Sequence, residues 1–322
     1  MIVPYARIAA EGVRIMRGGL SAAGRGHALA LGTIIVWGTT FIASTVALRT
    51  LSPIELLAAR MLIAIAALYI ACPHRLKLQS RKHEVFLMGA GLSGVTLYFL
   101  FENLALTYTN SSNCSVIIST APFFVAVATH LFLKEEKLSR SFFVGFVIAM
   151  AGVSLVSFAG HSLKLNPLGD ALCILAAVMW AGYSVFIRKL EGYGYNTLLV
   201  TRRIFFYGLV FLVPVAAVFG FSVAPADLLN RDTLISVLFL GLVASALCFV
   251  TWNTAVRLIG PVKTSVYIYL TPVVTIVFAK IILNDAIHPL ALAGAALTLL
   301  GLGISQRPAL RLYGQSRAET RK

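Results

Sequence analysis

Residues 103–135, NLALTYTNSSNCSVIISTAPFFVAVATHLFLKE, decide the fold because their pattern returns in the second half of the chain, at residues 253–285. The matching residues keep a single offset across an apolar helix end, a polar turn and a second apolar stretch. The matched pairs are Asn103 and Asn253, Ala105 and Ala255, Ser115 and Ser265, Pro122 and Pro272, and Glu135 and Asp285. Matches at one unbroken offset indicate an internal duplication.

The composition around this repeat is that of a membrane protein. Of the 322 residues, 59% are hydrophobic and only 12% are charged, whereas soluble domains carry roughly 25% charged residues. The apolar residues come in blocks of about 20, which is the length that crosses a bilayer as a helix. Lipid accepts only helices or closed barrels, and these continuous blocks do not alternate as barrel strands do. The sequence therefore predicts an all-α membrane protein.

The apolar blocks predict ten transmembrane helices separated by short turns that are rich in Pro, Gly, Asn and Asp. The turns leave no room for a soluble domain. The predicted spans begin near Ala28, Pro53, Val85, Ser112, Ser141, Leu168, Thr197, Leu234, Lys263 and Pro289.

The net charge of +15 sits mostly in alternate turns beside the spans, where it sets membrane orientation and does not indicate nucleic-acid binding. Because basic residues concentrate in cytoplasmic loops, we expect both termini to be cytoplasmic. We interpret residues 1–27 as a basic cytoplasmic interfacial helix, with an organellar transit peptide as the weaker alternative. Residues 307–322 are expected to form a basic cytoplasmic tail.

The duplication divides the spans into two sets of five, residues 28–160 and 168–306. Because five is odd, the second set enters the membrane from the opposite side, and the halves are inverted repeats. Inverted repeats are typical of secondary transporters, in which two similar halves enclose one site near the middle of the membrane.

Several segments together resemble the drug/metabolite transporter superfamily, in its ten-helix form with two EamA-type domains. They are WGTTFIAS with Trp37, PIELLAAR with Pro53 and Arg60, the repeated stretch that opens this section, GFVIAMAGVSLV, and GDALCILAAVMWAGYSVFIRK. The resemblance covers nearly all of the chain after residue 27. It implies export or exchange of small metabolites, often amino acids or their derivatives, by an integral protein of a bacterial inner (plasma) membrane.

Aromatic and amide side chains inside the spans are the candidates for substrate binding. Trp37 and Trp180 are equivalent in the repeat and lie deep in spans one and six, either as walls of a pocket for a planar or cationic substrate or as packing residues. Asn103 and Asn253 must find partners, either on neighbouring helices or on a ligand. The full candidate set is Trp37, Tyr98, Asn103, Trp180, Tyr183, Trp252, Asn253 and Tyr267.

Charged residues within spans are the candidates for coupling. Glu102 is the only acid well inside a span, on the same helix face as Tyr98, and could hold a proton, pair with a substrate ammonium or reach external water. Arg60 and Arg203 are repeat equivalents that either snorkel and pair with carbonyl groups or attract a substrate carboxylate.

The remaining gating candidates are Pro122 and Pro272, near the middle of spans four and nine. Each proline removes a helical hydrogen bond, which predicts either a static kink beside the cavity or a hinge that offers free carbonyls. We favour the static kink, with Ser119, Thr120 and Thr271 as local partners for the freed carbonyls.

Two further patterns concern packing. Glycines recur on one face of span five, at Gly145 and Gly152, and of span ten, at Gly294 and Gly301, and they predict close helix packing. The four cysteines have no CxxC spacing, so we interpret them as buried hydrophobes and predict no metal and no cofactor.

The function that these features favour is a secondary transporter for small organic metabolites, directed outward. Its partners would be a small-molecule substrate and the lipid bilayer, with a proton as a candidate coupling ion and a monomer sufficient. One alternative is a membrane-embedded enzyme, for which the sequence shows no cluster of reactive groups. The other is a receptor or scaffold, in which an inverted duplication has no obvious use. No Walker A pattern is present, so ATP is not expected as the energy source.

Overall fold

A computed structural model describes residues 21–109, 111–133, 139–158, 166–220, 230–283 and 289–319. These residues form helices and short connections, with no strand among them. Glu135 and Asp285, the last pair of the repeat, lie outside them. In chain order the helices are α1 (Ala22–Ala47), α2 (Pro53–Ala71), α3 (Arg81–Tyr108), α4a (Ser111–Ile118), α4b (Ala121–Leu133), α5 (Arg140–Phe158), α6 (Pro167–Glu191), α7 (Thr197–Phe219), α8 (Arg231–Ile259), α9a (Pro261–Ser265), α9b (Thr271–Leu283) and α10 (Pro289–Glu319).

Membrane-spanning length is reached by seven stretches of the described chain: α1, α2, α3, residues 114–133, α6, α7 and α8. The other three regions expected to span are also helical. Helices α5 and α10 contain shorter apolar segments, Arg140–Leu155 and Leu292–Ser305. Residues 261–283 are divided by a 3₁₀ segment, Val266–Leu270. The chain is thus an all-α membrane protein.

The polar turn residues fix where several helices begin. At the start of α2, Ser52 and Glu55 form a capping box, in which the Ser52 backbone N–H donates to the Glu55 carboxylate at 2.8 Å and the Glu55 N–H donates to the Ser52 hydroxyl at 3.3 Å. The side chains of Asn166, Asn196 and Asn230 accept backbone N–H groups at the starts of α6, α7 and α8. Such caps satisfy N–H groups that have no partner inside the helix.

Both terminal helices extend beyond the predicted limits of the spans. The Ser21 side chain caps α1, which begins at Ala22, inside the segment 1–27 that was expected to precede the first span. Helix α10 continues to Glu319, through most of the expected tail 307–322. Residues 306–319 are rich in Ala, Leu, Arg and Gln, which favour helix even where the chain is no longer apolar.

The regular α-helical pattern of spans four and nine is interrupted just before each proline, at residues 119–120 and in the 3₁₀ segment Val266–Leu270, and the choice between a static kink and a hinge stays a prediction. Pro122 and Pro272 each stand second in the helix that follows the break, where a proline needs no hydrogen-bond partner for its nitrogen. Before the first break, the Ser119 hydroxyl donates to the Ser115 carbonyl at 2.7 Å and the Thr120 hydroxyl donates to the Ile117 carbonyl at 2.6 Å. The hydroxyls of Ser119 and Thr120 thus satisfy carbonyls of the preceding turn.

Spans three and eight each contain a π-helical segment, Gly91–Leu97 and Phe239–Leu247. Sequence reasoning did not predict these segments, although Gly91 and Gly241 are equivalent in the repeat. A Cβ at Gly91 would lie 2.7 Å from the Ile204 carbonyl oxygen, and a Cβ at Gly241 would lie 3.2 Å from the Arg60 carbonyl oxygen. Each glycine therefore lets its wide helix contact the backbone of the second helix of the other half.

The two halves interleave by one repeated scheme. The first helix of each half packs against the third and fourth helices of the other half, which places α1 on α8 and α9b, and α6 on α3, α4a and α4b. The second helix of each half, α2 or α7, packs on the third helix of the other half, α8 or α3. The middle of the molecule is consequently built from both halves.

Helices α5 and α10 form a close pair, which confirms the packing predicted from their glycines. A Cβ at Gly152 would lie 2.4 Å from the Thr298 nitrogen and 2.6 Å from the Gly294 carbonyl oxygen. A Cβ at Gly145 would lie 2.6 Å from the Gly301 carbonyl oxygen. The backbones approach so closely that only glycine fits at these positions.

Candidate substrate-binding site

A cavity lies where the two halves meet. Its lining comes from α1, α2, α3, α4a and α4b in the first half, and from α6, α8, the 3₁₀ segment Val266–Leu270 and α9b in the second half. Its volume is about 40 Å³, which gives room for about three water molecules. This volume is too small for an organic solute, so the walls of the cavity must move apart before such a solute can bind.

Aromatic rings form much of the cavity wall. Trp37 of α1 and Trp180 of α6 both line it, with their ring centroids 5.3 Å apart in an edge-to-face arrangement. Tyr98 lies 5.1 Å from Trp180, and Phe249 lies 5.7 Å from Trp37. Trp252 is not part of the lining but packs behind it, with its ring 4.9 Å from that of Trp37. The repeat thus brings its equivalent tryptophans to the same cavity.

Arg60 is the cation of the cavity, and its side chain is 1% exposed. Its Nε and Nη2 atoms donate to the Ser245 hydroxyl at 3.2 and 3.1 Å. Its guanidinium carbon lies 3.8 Å from the centroid of the Phe99 ring, which is a cation–π contact. Among the residues that the structure describes, Nη1 has no hydrogen-bond partner. Ser245 belongs to the π-helical segment of α8, so this local widening supplies the contact that positions Arg60.

Glu102 is the anion of the cavity and is 3% exposed. Its carboxylate is in side-chain hydrogen-bonding contact with Tyr98, which lies one helical turn earlier on the same face of α3. The charges of Glu102 and Arg60 attract one another. The cavity thus contains one acid and one base, both buried.

The indole nitrogens of the equivalent tryptophans differ in their partners. Trp37 Nε1 donates to the Ala244 carbonyl at 2.9 Å, again within the π-helical segment of α8. Trp180 Nε1 and Trp252 Nε1 are both buried, and neither has an acceptor in the described ranges. Trp180 therefore brings an unused hydrogen-bond donor to the cavity wall.

Five of the eight residues predicted to bind substrate lie outside the lining. Asn253 accepts from the Tyr183 hydroxyl at 2.7 Å and donates to the Thr201 hydroxyl at 3.0 Å, so it joins α6, α7 and α8. Asn103 donates to the Pro53 carbonyl at 3.1 Å. These contacts match the interhelical alternative that the sequence left open for both amides.

The remaining predicted residues outside the lining are Tyr267 and Trp252. The Tyr267 hydroxyl lies 2.9 Å from His27 Nδ1, and Trp252 packs behind the cavity wall.

Arg203, the repeat equivalent of Arg60, lies away from the cavity. It forms an ion pair with Glu84 at 2.7 Å, and its side chain is 42% exposed. Tyr207 also donates to the Glu84 carboxylate. The two arginines therefore have different surroundings despite their equivalent motifs. Pro122 and Pro272 are not in the lining, but their neighbours Ala121 and Thr271 are.

Sequence reasoning missed Ser245, Phe99 and Phe249 as parts of this site. A signal for the two phenylalanines was present, because Phe99 and Phe249 are separated by the same offset as Asn103 and Asn253. Ser245 has no counterpart of that kind, since Val95 occupies the equivalent position.

Several contacts join the two halves at one end of the bundle, which we call the His83 end: residues 72–80, residues 192–196 and the helix ends that flank them. The His83 ring lies 3.7 Å from that of Tyr193, and its Nδ1 lies 2.7 Å from the Tyr195 hydroxyl. Arg202 donates to the carbonyls of Cys72 and His74. These contacts tie the connection after α2 to the second half.

Metal ligands do not cluster in the described ranges. There, no group of three or more His, Cys, Asp and Glu side chains comes together.

Comparison with known proteins decides the family. The model of the EamA-like transporter family matches two segments of the chain, residues 24–158 and 167–305. The chain belongs to the EamA-like transporter family. An uncharacterized transporter of Archaeoglobus fulgidus is 32% identical over 282 residues, which cover 86% of this chain and 95% of the relative.

More distant members of the EamA-like family carry names that state a cargo. A probable terminal-alkyne amino-acid exporter of Streptantibioticus cattleyicolor is 28% identical, and the match covers 86% of this chain and 92% of that relative. A probable amino-acid metabolite efflux pump of Salmonella typhimurium is 26% identical, covering 86% of this chain and 93% of its own. A solved structure that is 20% identical superposes with a TM-score of 0.71 over 89% of this chain and 98% of its own, which shows the shared fold.

Proposed function

We propose that this protein exports small organic metabolites, amino acids or related compounds, by alternating access across a bacterial inner membrane. The observation that supports the proposal is the central cavity, which both halves build together. Alternating access requires one site that two similar halves enclose and expose to each side in turn. The outward direction and the solute class rest on the names of the Streptantibioticus and Salmonella relatives.

The topology that goes with this function is ten spans in two inverted sets of five, with both termini in the cytoplasm. The His83 end then faces the cytoplasm, since the basic connection 72–80 belongs to it and basic loops stay inside. The solute would enter at this end after the contacts of His83 and Arg202 open, and it would leave at the opposite end.

The cavity lies within one chain, so a monomer is sufficient for transport. Glu102 is the group in the cavity that can take up or release a proton, and it is our candidate for coupling if the export is proton-driven.

The test is transport by the purified protein in liposomes, without ATP. Vesicles preloaded with an unlabelled amino-acid mixture should exchange it for external labelled amino acids, at a rate that saturates. Trp37→Ala and Trp180→Ala should slow the exchange at least tenfold, because they remove cavity walls. Phe132→Ala is the matched control, because Phe132 is 66% exposed on α4b, away from the cavity, and should exchange normally. If folded wild-type protein moves none of the solutes, the proposal is wrong.

A further inference from the structure

We propose that the cavity selects zwitterions: Arg60 Nη1 binds the carboxylate, Glu102 binds the ammonium, and Trp37 and Trp180 hold a flat apolar side chain. This inference rests on the proposed function, because it assigns the chemical groups of the solute to residues of the same site. It predicts a solute with both charges and an aromatic group, such as an aromatic amino acid.

The carboxylate position follows from the unused donor of Arg60. A guanidinium offers five N–H donors in a fixed plane. The Ser245 hydroxyl accepts one N–H from Nε and one from Nη2, and Phe99 covers the face of the group, so its orientation is set before any solute arrives. Nη1 remains buried and finds no partner within the described part of the chain. A carboxylate at that atom would satisfy a buried donor through a charge-assisted hydrogen bond.

The ammonium position follows from Glu102. This carboxylate is buried and lines the same cavity, with Tyr98 as its side-chain hydrogen-bonding partner. A carboxylate can accept several hydrogen bonds, and an ammonium offers three donors. Glu102 therefore has acceptor capacity that Tyr98 alone does not fill.

The two charges together produce the selectivity. In the empty cavity Arg60 and Glu102 balance one another. A zwitterion inserts between them without changing the net buried charge, whereas an amine or a carboxylate adds an uncompensated charge in a buried site, which is costly. A solute that lacks one of the two charges leaves either Arg60 or Glu102 without a partner, and it therefore binds more weakly.

The apolar side chain is selected by the aromatic walls. The rings of Trp37 and Trp180 stand edge to face, and Trp180 Nε1 adds a buried donor without an acceptor. Because the free volume is only about 40 Å³, the solute must separate the walls when it enters. A flat aromatic ring fits between the separated walls with little added volume. Its contacts with Trp37 and Trp180 replace the contacts that the walls lose when they move apart.

The experiment compares three probes that differ by one charged group: L-phenylalanine, phenethylamine and 3-phenylpropanoate. Binding to the purified full chain is measured by calorimetry and by the shift in thermal unfolding, since a ligand stabilises the folded state by mass action. L-Phenylalanine should bind at least tenfold more tightly than either analogue. The inference is overturned if an analogue binds as tightly as L-phenylalanine.

Substitutions then assign each charge to its residue. Arg60→Gln should weaken L-phenylalanine and remove its advantage over phenethylamine, and Glu102→Gln should remove its advantage over 3-phenylpropanoate. Arg203→Gln is the matched control for Arg60→Gln and should keep the wild-type preference, because Arg203 pairs with Glu84 away from the cavity. Equal weakening of all three probes by either cavity substitution would contradict the assignment.

Folding and function are tested separately. If Arg60→Gln does not fold, Arg60→Lys keeps the charge and should bind L-phenylalanine more weakly while still preferring it to phenethylamine; loss of that preference overturns the inference. If L-phenylalanine does not bind but liposomes exchange another solute, this inference fails and the proposed function stands. If the liposomes exchange no solute, the proposed function fails as well.

Discussion

Asn103 and Asn253 occupy equivalent positions in the two halves, yet their side chains make different hydrogen bonds. Asn253 makes two side-chain hydrogen bonds to two other helices, at 2.7 and 3.0 Å. Asn103 makes one, to the Pro53 carbonyl, and its Oδ1 is buried with no partner. The difference arises because Asn253 lies between two hydroxyl groups. The Tyr183 hydroxyl donates to its side-chain oxygen, and the Thr201 hydroxyl accepts from its side-chain nitrogen.

We expect Asn253→Ala to lower the free energy of unfolding by about 1–2 kcal/mol, since side-chain hydrogen bonds between membrane helices contribute roughly 0.6 kcal/mol on average and up to ~1.7. Asn103→Ala, which removes a single bond, should cost about half as much. Unfolding of the detergent-solubilised variants measures both. If Asn253→Ala unfolds like wild type but loses its solute, the amide contacts the ligand and is not a structural bond.

The residue types at the site could be predicted from sequence, whereas their contacts could not. Trp37, Trp180, Arg60 and Glu102 stood out because polar or bulky aromatic groups deep in a span require an explanation. Arg203 stood out for the same reason, but its motif gave no sign of its ion pair. Sequence spacing shows which residues are equivalent in the repeat, but a side chain's partner depends on a helix elsewhere in the chain.

Among the helices, the paired glycines of α5 and α10 give the clearest link from sequence to packing. Small residues seven apart share a helix face, and that spacing was visible without a structure. The π-helical segments of α3 and α8 were not visible, because their residues favour an ordinary helix equally well. They matter for the site, since the segment in α8 supplies both the Ala244 carbonyl for Trp37 and the Ser245 hydroxyl for Arg60.

We expect Gly152→Ala to lower the free energy of unfolding by about 1–3 kcal/mol, which is typical of overpacking. The new Cβ would lie 2.4 Å from the Thr298 nitrogen, and backbone atoms cannot move aside as a flexible side chain can. Gly303→Ala on α10 is the matched control, because nothing lies within 4 Å of its Cβ position. Alanine also favours helix over glycine, so this control should unfold at or above the wild-type temperature. Equal stability of the two variants would show that α5 and α10 do not pack so closely.

At the scale of the whole molecule, the fold was the most predictable feature. The sequence predicted span starts at Pro53, Thr197 and Pro289, and helices begin at those residues. The duplication also predicted that equivalent elements would meet at one site. What it left open was which side chains join the halves at each end of the bundle, such as the contacts of His83 with Tyr193 and Tyr195.

These contacts give a direct test of alternating access. In a variant without the native cysteines, His83→Cys and Tyr193→Cys place two thiols across the His83 end, where the native rings are 3.7 Å apart. A short bifunctional thiol reagent that joins them should abolish exchange in liposomes, because the solute can no longer reach the cavity from this end. Release of the linker by reduction should restore the rate. The two single-cysteine variants, treated in the same way, should keep most of their activity. Exchange that continues at full rate in completely cross-linked protein would mean that the His83 end does not open during transport.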